Sequence, residues 1–141
     1  MSKDRRGYPR AKLKWPVVIK TEEGAIEGVT RNITPDGCFI SCRRPLKLNV
    51  VIEIAIKIPN TKSAIQAKAE VVWSNIYGPD DEITPRGMGV RFINIASEAR
   101  KFIAQASLEY FKSRDIEADL LQTLSTLVID LSEEQKKVPG G

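Results

Sequence analysis

Val50-Val51-Ile52-Glu53-Ile54-Ala55-Ile56-Lys57-Ile58 alternates with a period of two. Ile52, Ile54, Ile56 and Ile58 fall on one side and Glu53 and Lys57 on the other. That is the pattern of a strand with one face in a core and one in water. Pro59-Asn60-Thr61 then turns the chain, and Ala64 to Ser74 alternates again. Ile65, Ala67, Ala69, Val71 and Trp73 stand against Gln66, Lys68, Glu70 and Ser74. The small pair Ala67 and Ala69 suits a tightly curved barrel wall.

The same pattern extends outward in both directions. Leu13 to Lys20 predicts a first strand, with Pro16 marking an edge or bulge. Glu22-Glu23-Gly24 is a turn and Ala25 to Arg31 a second strand. Asn32-Ile33-Thr34-Pro35-Asp36-Gly37 collects turn formers. Cys38 to Cys42 is a short third strand closed by Arg43-Arg44-Pro45. Beyond the polar loop Tyr77 to Pro85, Gly87 to Ile93 is a last strand with Met88, Val90 and Phe92 on one face. Six antiparallel strands with short connections predict an all-β core, and closing it into a barrel removes the edges.

The C-terminal third changes period. Ser97 predicts an N-cap, with Glu98 in the first turn. Ile103, Ala106, Ser107 and Tyr110 form a helical stripe flanked by Phe102 and Phe111, and Ser113-Arg114-Asp115 breaks or bends it. From Asp119 to Leu131, Leu120, Leu124, Leu127 and Leu131 follow 4-3-4 spacing. About two heptads are short for a free-standing coiled coil. The stripe therefore has two readings, a helix packed on its own barrel or a homo-oligomer contact. The expected organisation is an Arg-rich flexible arm over 1–12, a barrel with its helix over 13–113, and an acidic amphipathic helical tail over 114–141.

Composition narrows the chemistry. Histidine is absent from all 141 residues, which removes His-based triads and most metal sites. The carboxylates form no catalytic constellation, so a binding protein is expected, with no cofactor and no metal. Cys38 and Cys42, if on one strand, have Cα atoms about 13 Å apart, too far for a disulfide. Sharing a face with Ile40, they read as buried thiols. No apolar run approaches the roughly 20 residues of a membrane helix. Met1-Ser2-Lys3-Asp4 lacks the apolar core of a signal peptide. A cytoplasmic location without membrane insertion is expected.

The net charge of +4 is unevenly spread. Residues 1–20 carry seven Lys/Arg against one Asp, whereas 115–141 carry six Asp/Glu against two Lys. The basic end calls for a phosphate-bearing partner. Within it, Arg5-Arg6-Gly7-Tyr8-Pro9-Arg10 sets three guanidinium groups around a Gly and a Pro that oppose helix. Guanidinium forks fit phosphate or a guanine edge, and their flat faces stack on rings.

Arg6 and Arg10 spell R-x-x-x-R ahead of the first strand. Asn32, Thr34 and Gly37 spell N-x-T-x-x-G after the second. In this order and spacing the pair resembles the PilZ domain family, receptors of the bacterial second messenger cyclic di-GMP. Gly37-Cys38-Phe39-Ile40, Val71-Val72-Trp73 and Gly87-Met88-Gly89-Val90-Arg91-Phe92 extend the resemblance over roughly residues 5–112. Thr34 stands where the family usually has Ser, and Asn32 where Asp is commoner.

The resemblance implies a non-catalytic receptor. Arg6 and Arg10 would bind phosphate and the guanine O6/N7 edge. Asn32 and Thr34 would take the base N–H donors and a phosphate oxygen, and Gly37 would allow close backbone approach. An Arg preceding the motif, here Arg5, goes in this family with an intercalated ligand pair. Trp73 has two readings: strand alternation puts it in the core, while the resemblance puts it against a guanine at the rim. Docking of the arm would relay the signal to an unidentified downstream protein. Two alternatives share these features: a basic barrel binding single-stranded nucleic acid, and a PilZ-like adaptor that no longer binds nucleotide. The sequence has only nine aromatics and no evident surface row of them for base stacking.

Overall fold

The structure, a computed structural model, describes residues 8–78, 80–81, 86–114 and 118–137. The period-two segments become six strands: β1 (Pro16–Thr21), β2 (Gly24–Thr34), β3 (Gly37–Cys42), β4 (Val51–Lys57), β5 (Ala64–Asn75) and β6 (Gly87–Ile95). All neighbouring pairs are antiparallel. They close into a barrel in the order β1-β2-β3-β6-β5-β4, with β1 and β4 sealing the ring through Val17 opposite Ile56 and Ile19 opposite Ile54. The apolar sides of the alternation fill the interior. Ile19, Ile33, Ile40, Ile54, Ile56, Val71 and Met88 are fully enclosed. Each such side chain contributes about 1.5–3 kcal/mol of burial. Ala67 and Ala69 are also buried, with Ala67 opposite Ile54 and Ala69 opposite Ile52.

The strand limits depart from the sequence reading in ways that matter for the site. β2 does not stop at Arg31; it continues to Thr34, which pairs with Gly37. Only Pro35 and Asp36 turn the chain, so Asn32 and Thr34 are strand residues with side chains fixed on the barrel wall. A bulge between Thr30 and Asn32 makes this possible. It turns Thr30 fully inward while returning Asn32 to the outer face. β1, for its part, starts at Pro16, not at Leu13. The preceding segment is folded onto β2 instead: Trp15 N–H donates to Thr30 Oγ1 at 2.8 Å. That hydroxyl in turn donates to Leu13 O at 2.5 Å.

Helix α1 (Ser97–Lys112) is capped one residue earlier than expected. Ala96 holds the extended N-cap conformation, and Ser97 is the first helical residue, its hydroxyl bonded to Glu134. α1 buries Ile103, Ala104, Ser107, Leu108 and Phe111. Phe102 lies 6.1 Å from Trp15, centroid to centroid. Helix α2 (Ala118–Lys137) packs on α1. Leu124, Leu127 and Leu131 are buried within the chain, so these three leucines of the proposed self-association stripe serve intramolecular packing. The Leu120 side chain lies outside the described residues. The barrel-packing alternative also needs correcting, since α2 packs chiefly on α1.

Cys38 and Cys42 are both buried and free. They share the inward face of β3 with Ile40, and burial pushes the Cys38 thiol up to about 12.

Thr30 ties the pre-β1 segment to β2 through a buried hydroxyl. Thr30→Val keeps the shape and orphans the buried Trp15 N–H and the Leu13 carbonyl. Urea unfolding should show a loss of about 1–3 kcal/mol, with the m-value unchanged.

Candidate ligand site on the outer barrel wall

The site begins where the N-terminal segment meets β2. Ala11 forms an antiparallel bridge with Ile33: Ala11 N–H donates to Ile33 O at 3.1 Å, and Ile33 N–H donates to Ala11 O at 2.9 Å. Both side chains are fully buried. Antiparallel pairing runs the exposed Arg10 alongside Thr34. Tyr8 packs against the core edge, with the Arg100 guanidinium 6.0 Å from its ring centroid. Arg5 and Arg6 lie outside the described residues, so among the arm guanidiniums the structure places Arg10.

The β2–β3 turn is held from inside and outside. Thr34 Oγ1 accepts from Asp36 N–H at 3.0 Å and from Gly37 N–H at 3.2 Å, so its hydroxyl maintains the turn. From helix α1, Arg100 donates to Asp36 Oδ1 at 2.8 Å and to the Pro35 carbonyl at 3.4 Å. Gly37 is required by close approach and not by a left-handed φ. A Cβ there would lie 2.2 Å from Val90 O and 3.0 Å from Arg91 Cα.

Across the wall, the register aligns two rows. Asn32 is opposite Phe39, Phe39 is opposite Gly89, and Gly89 is opposite Trp73. The Phe39 and Trp73 rings meet over Gly89 with centroids 5.5 Å apart. One step along, Thr34 is opposite Gly37, Gly37 opposite Arg91, and Arg91 opposite Glu70. Arg91 pairs with Glu70 at 2.7 Å. Asn32, Thr34, Gly37 and Trp73 are thus brought onto one face, with Arg10 at its margin.

Trp73 overturns the alternation that would bury it with Ile65 and Val71. A bulge between Val71 and Trp73 shifts the phase, and the indole is 46% exposed on the outside. Sequence reasoning also missed Phe39, Arg91 and Arg100 as parts of this surface. Arg100 is 64 residues from Asp36 in the chain, and no local signal links them.

A concavity of about 1010 Å³ lies elsewhere, at the opposite end of the β2–β3 hairpin. It is lined by Pro16, Val18, Val29, Arg43, Arg44 and Lys57 among others. It holds none of the motif residues.

With this geometry in place, comparison with known proteins is decisive for the family. The PilZ domain model matches residues 4–109. The chain belongs to the PilZ domain family.

Two solved structures share the fold of this PilZ domain. The inhibitor of motility MotI/DgrA of Bacillus subtilis superposes with a TM-score of 0.67 at 18% identity, covering 81% of this chain and 55% of that one. The PilZ domain of YcgR from Escherichia coli, solved with c-di-GMP, gives a TM-score of 0.60 at 11% identity, covering 96% of this chain and 100% of that one. The chain therefore spans about half the length of MotI. No curated protein matches it. The PilZ family is one of receptors and adaptors, not of catalysts.

Gly37→Ala would press a methyl against backbone that cannot rotate away. The β3–β6 pair must part to admit it, at about 1–3 kcal/mol. A lower thermal midpoint than wild type is expected, and an unchanged midpoint would contradict the close approach.

Proposed function

We propose that this PilZ domain is a non-catalytic cytoplasmic receptor for cyclic di-GMP, taken as an intercalated pair and signalled onward to a downstream protein. The observation that supports it is the Ala11–Ile33 bridge, which runs Arg10, the second arginine of the R-x-x-x-R motif, beside the outer face bearing Asn32, Thr34 and Gly37.

The residues present suit such a ligand. Arg6 and Arg10 supply charge-assisted donors for phosphate and for guanine O6 and N7. Asn32, half-buried on the wall, offers an amide oxygen to guanine N–H donors. Thr34 contributes by fixing the turn, since its hydroxyl is already engaged by two backbone amides. Trp73, backed by Phe39, offers a stacking face for a base. Arg5 adds a third guanidinium for the second ligand of the pair. Neutralised charge lets the arm close over the face, pivoting at Ala11. The Arg100 contacts to Asp36 and Pro35 give that movement a route into α1.

Isothermal titration calorimetry should give two cyclic di-GMP per chain at saturation. Arg10→Ala and Asn32→Ala should each weaken binding at least tenfold, about 1.4 kcal/mol. An unrelated single-stranded oligonucleotide should not bind. One ligand per chain would contradict the pair. Unchanged affinity in both variants would contradict the site. Salt-dependent oligonucleotide binding alone would favour a nucleic-acid barrel.

A further inference from the structure

Arg91 lies outside both motifs, yet the register brings it to the same wall. It follows Gly89 by two residues on β6, so the two positions share a face and stand about 7 Å apart. Gly89 is where the Phe39 and Trp73 rings close over the strand. On the neighbouring β3 the residue opposite Arg91 is Gly37, which has no side chain to intervene. The ground between Thr34 and the guanidinium is therefore floored by the Gly37 backbone, and toward the indole it is bordered by the Phe39 ring. An Arg side chain easily spans that distance.

The guanidinium is paired but weakly held. Arg91 is paired with Glu70 at 2.7 Å, and its side chain is 59% exposed. Exposed cross-strand ion pairs contribute little to folding, so the fork can change partners at small cost. Trp73, 46% exposed at the bulge, offers indole surface to a flat heterocycle.

We infer that Arg91 is a base-reading residue of this site: its fork donates to O6 and N7 of a guanine stacked on Trp73, and Glu70 holds it ready until then. The inference rests on the cyclic di-GMP reading above and adds to it a residue and a source of base selectivity. Guanine presents two acceptors at that edge, whereas adenine presents an acceptor and an N6 donor that the all-donor fork repels. Glu70, acceptor-only when ionised, competes with the base for the same donors.

The test is calorimetry of the full chain with cyclic di-GMP and with cyclic di-AMP, on wild type, Arg91→Ala, Arg91→Lys and Glu70→Gln. Arg91→Ala should weaken cyclic di-GMP binding about tenfold, within the range of a lost bidentate base contact. It should narrow the preference over cyclic di-AMP by a similar factor. Arg91→Lys keeps the charge and the pairing with Glu70 but loses the fork, so it should fold like wild type and still lose selectivity. Glu70→Gln should bind cyclic di-GMP as tightly as wild type or tighter. Unchanged affinity and selectivity in both Arg91 variants, with wild type binding normally, would overturn the role of Arg91 and leave the receptor intact. No binding by wild type would overturn the receptor reading and this inference with it.

Discussion

Two backbone hydrogen bonds between Ala11 and Ile33 carry the architecture of the site. Ile33 is a core residue and Ala11 is packed as tightly, so the bridge is shielded from competing water. Its consequence is positional. A basic segment that could otherwise sample any direction is held antiparallel to the end of β2, beside the strand residues able to recognise a base. Ala11 has no exposed surface, so only a small side chain fits at position 11 without displacing the interior.

The barrel explains why the candidate site is on its outside. Isoleucines from β1 to β5, with Val71 and Met88, fill the interior, leaving the wall as the place where polar and aromatic side chains can gather. Two of the register shifts rephase that wall at the site. One turns Thr30 inward to hold the chain before β1 and returns Asn32 outward. The other brings Trp73 out of the core phase onto the surface beside Phe39. Helix α1 braces the result through Arg100, which touches the β2–β3 turn and faces Tyr8 of the arm. Helix α2 in turn meets α1, with Glu134 bonded to Ser97. Arm, turn and helical hairpin are thereby joined by a short chain of contacts.

Much of this was legible in the sequence because it is encoded locally. The alternation from Val50 to Ile58 and from Ala64 to Val71 is a direct image of the barrel wall, and the spacing of Arg6, Arg10, Asn32, Thr34 and Gly37 carries the family. What escaped depends on backbone irregularity or on long-range contact. A bulge adds one residue without a distinctive composition, so alternation could not decide between the two readings of Trp73; the register shift after Val71 rules out the buried one. Asn32 and Thr34 looked like turn formers because asparagine, threonine and proline favour turns. The pairing of Thr34 with Gly37, a tertiary fact, keeps them in the strand. The leucines of α2 had the spacing of an interface, and only the position of α1 decides that Leu124, Leu127 and Leu131 are buried at home.

The central claim is that the arm and the end of β2 form one binding face for cyclic di-GMP. An amide ¹H–¹⁵N correlation titration tests it directly. The account predicts that saturation shifts the signals of Tyr8, Arg10, Ala11, Asn32, Thr34, Gly37, Phe39 and Gly89, and the Trp73 indole, as one group. The signals of Val18, Glu27 and Arg43, around the opposite concavity, should stay in place. Shifts centred on that concavity, or none at all with ligand in excess, would contradict it.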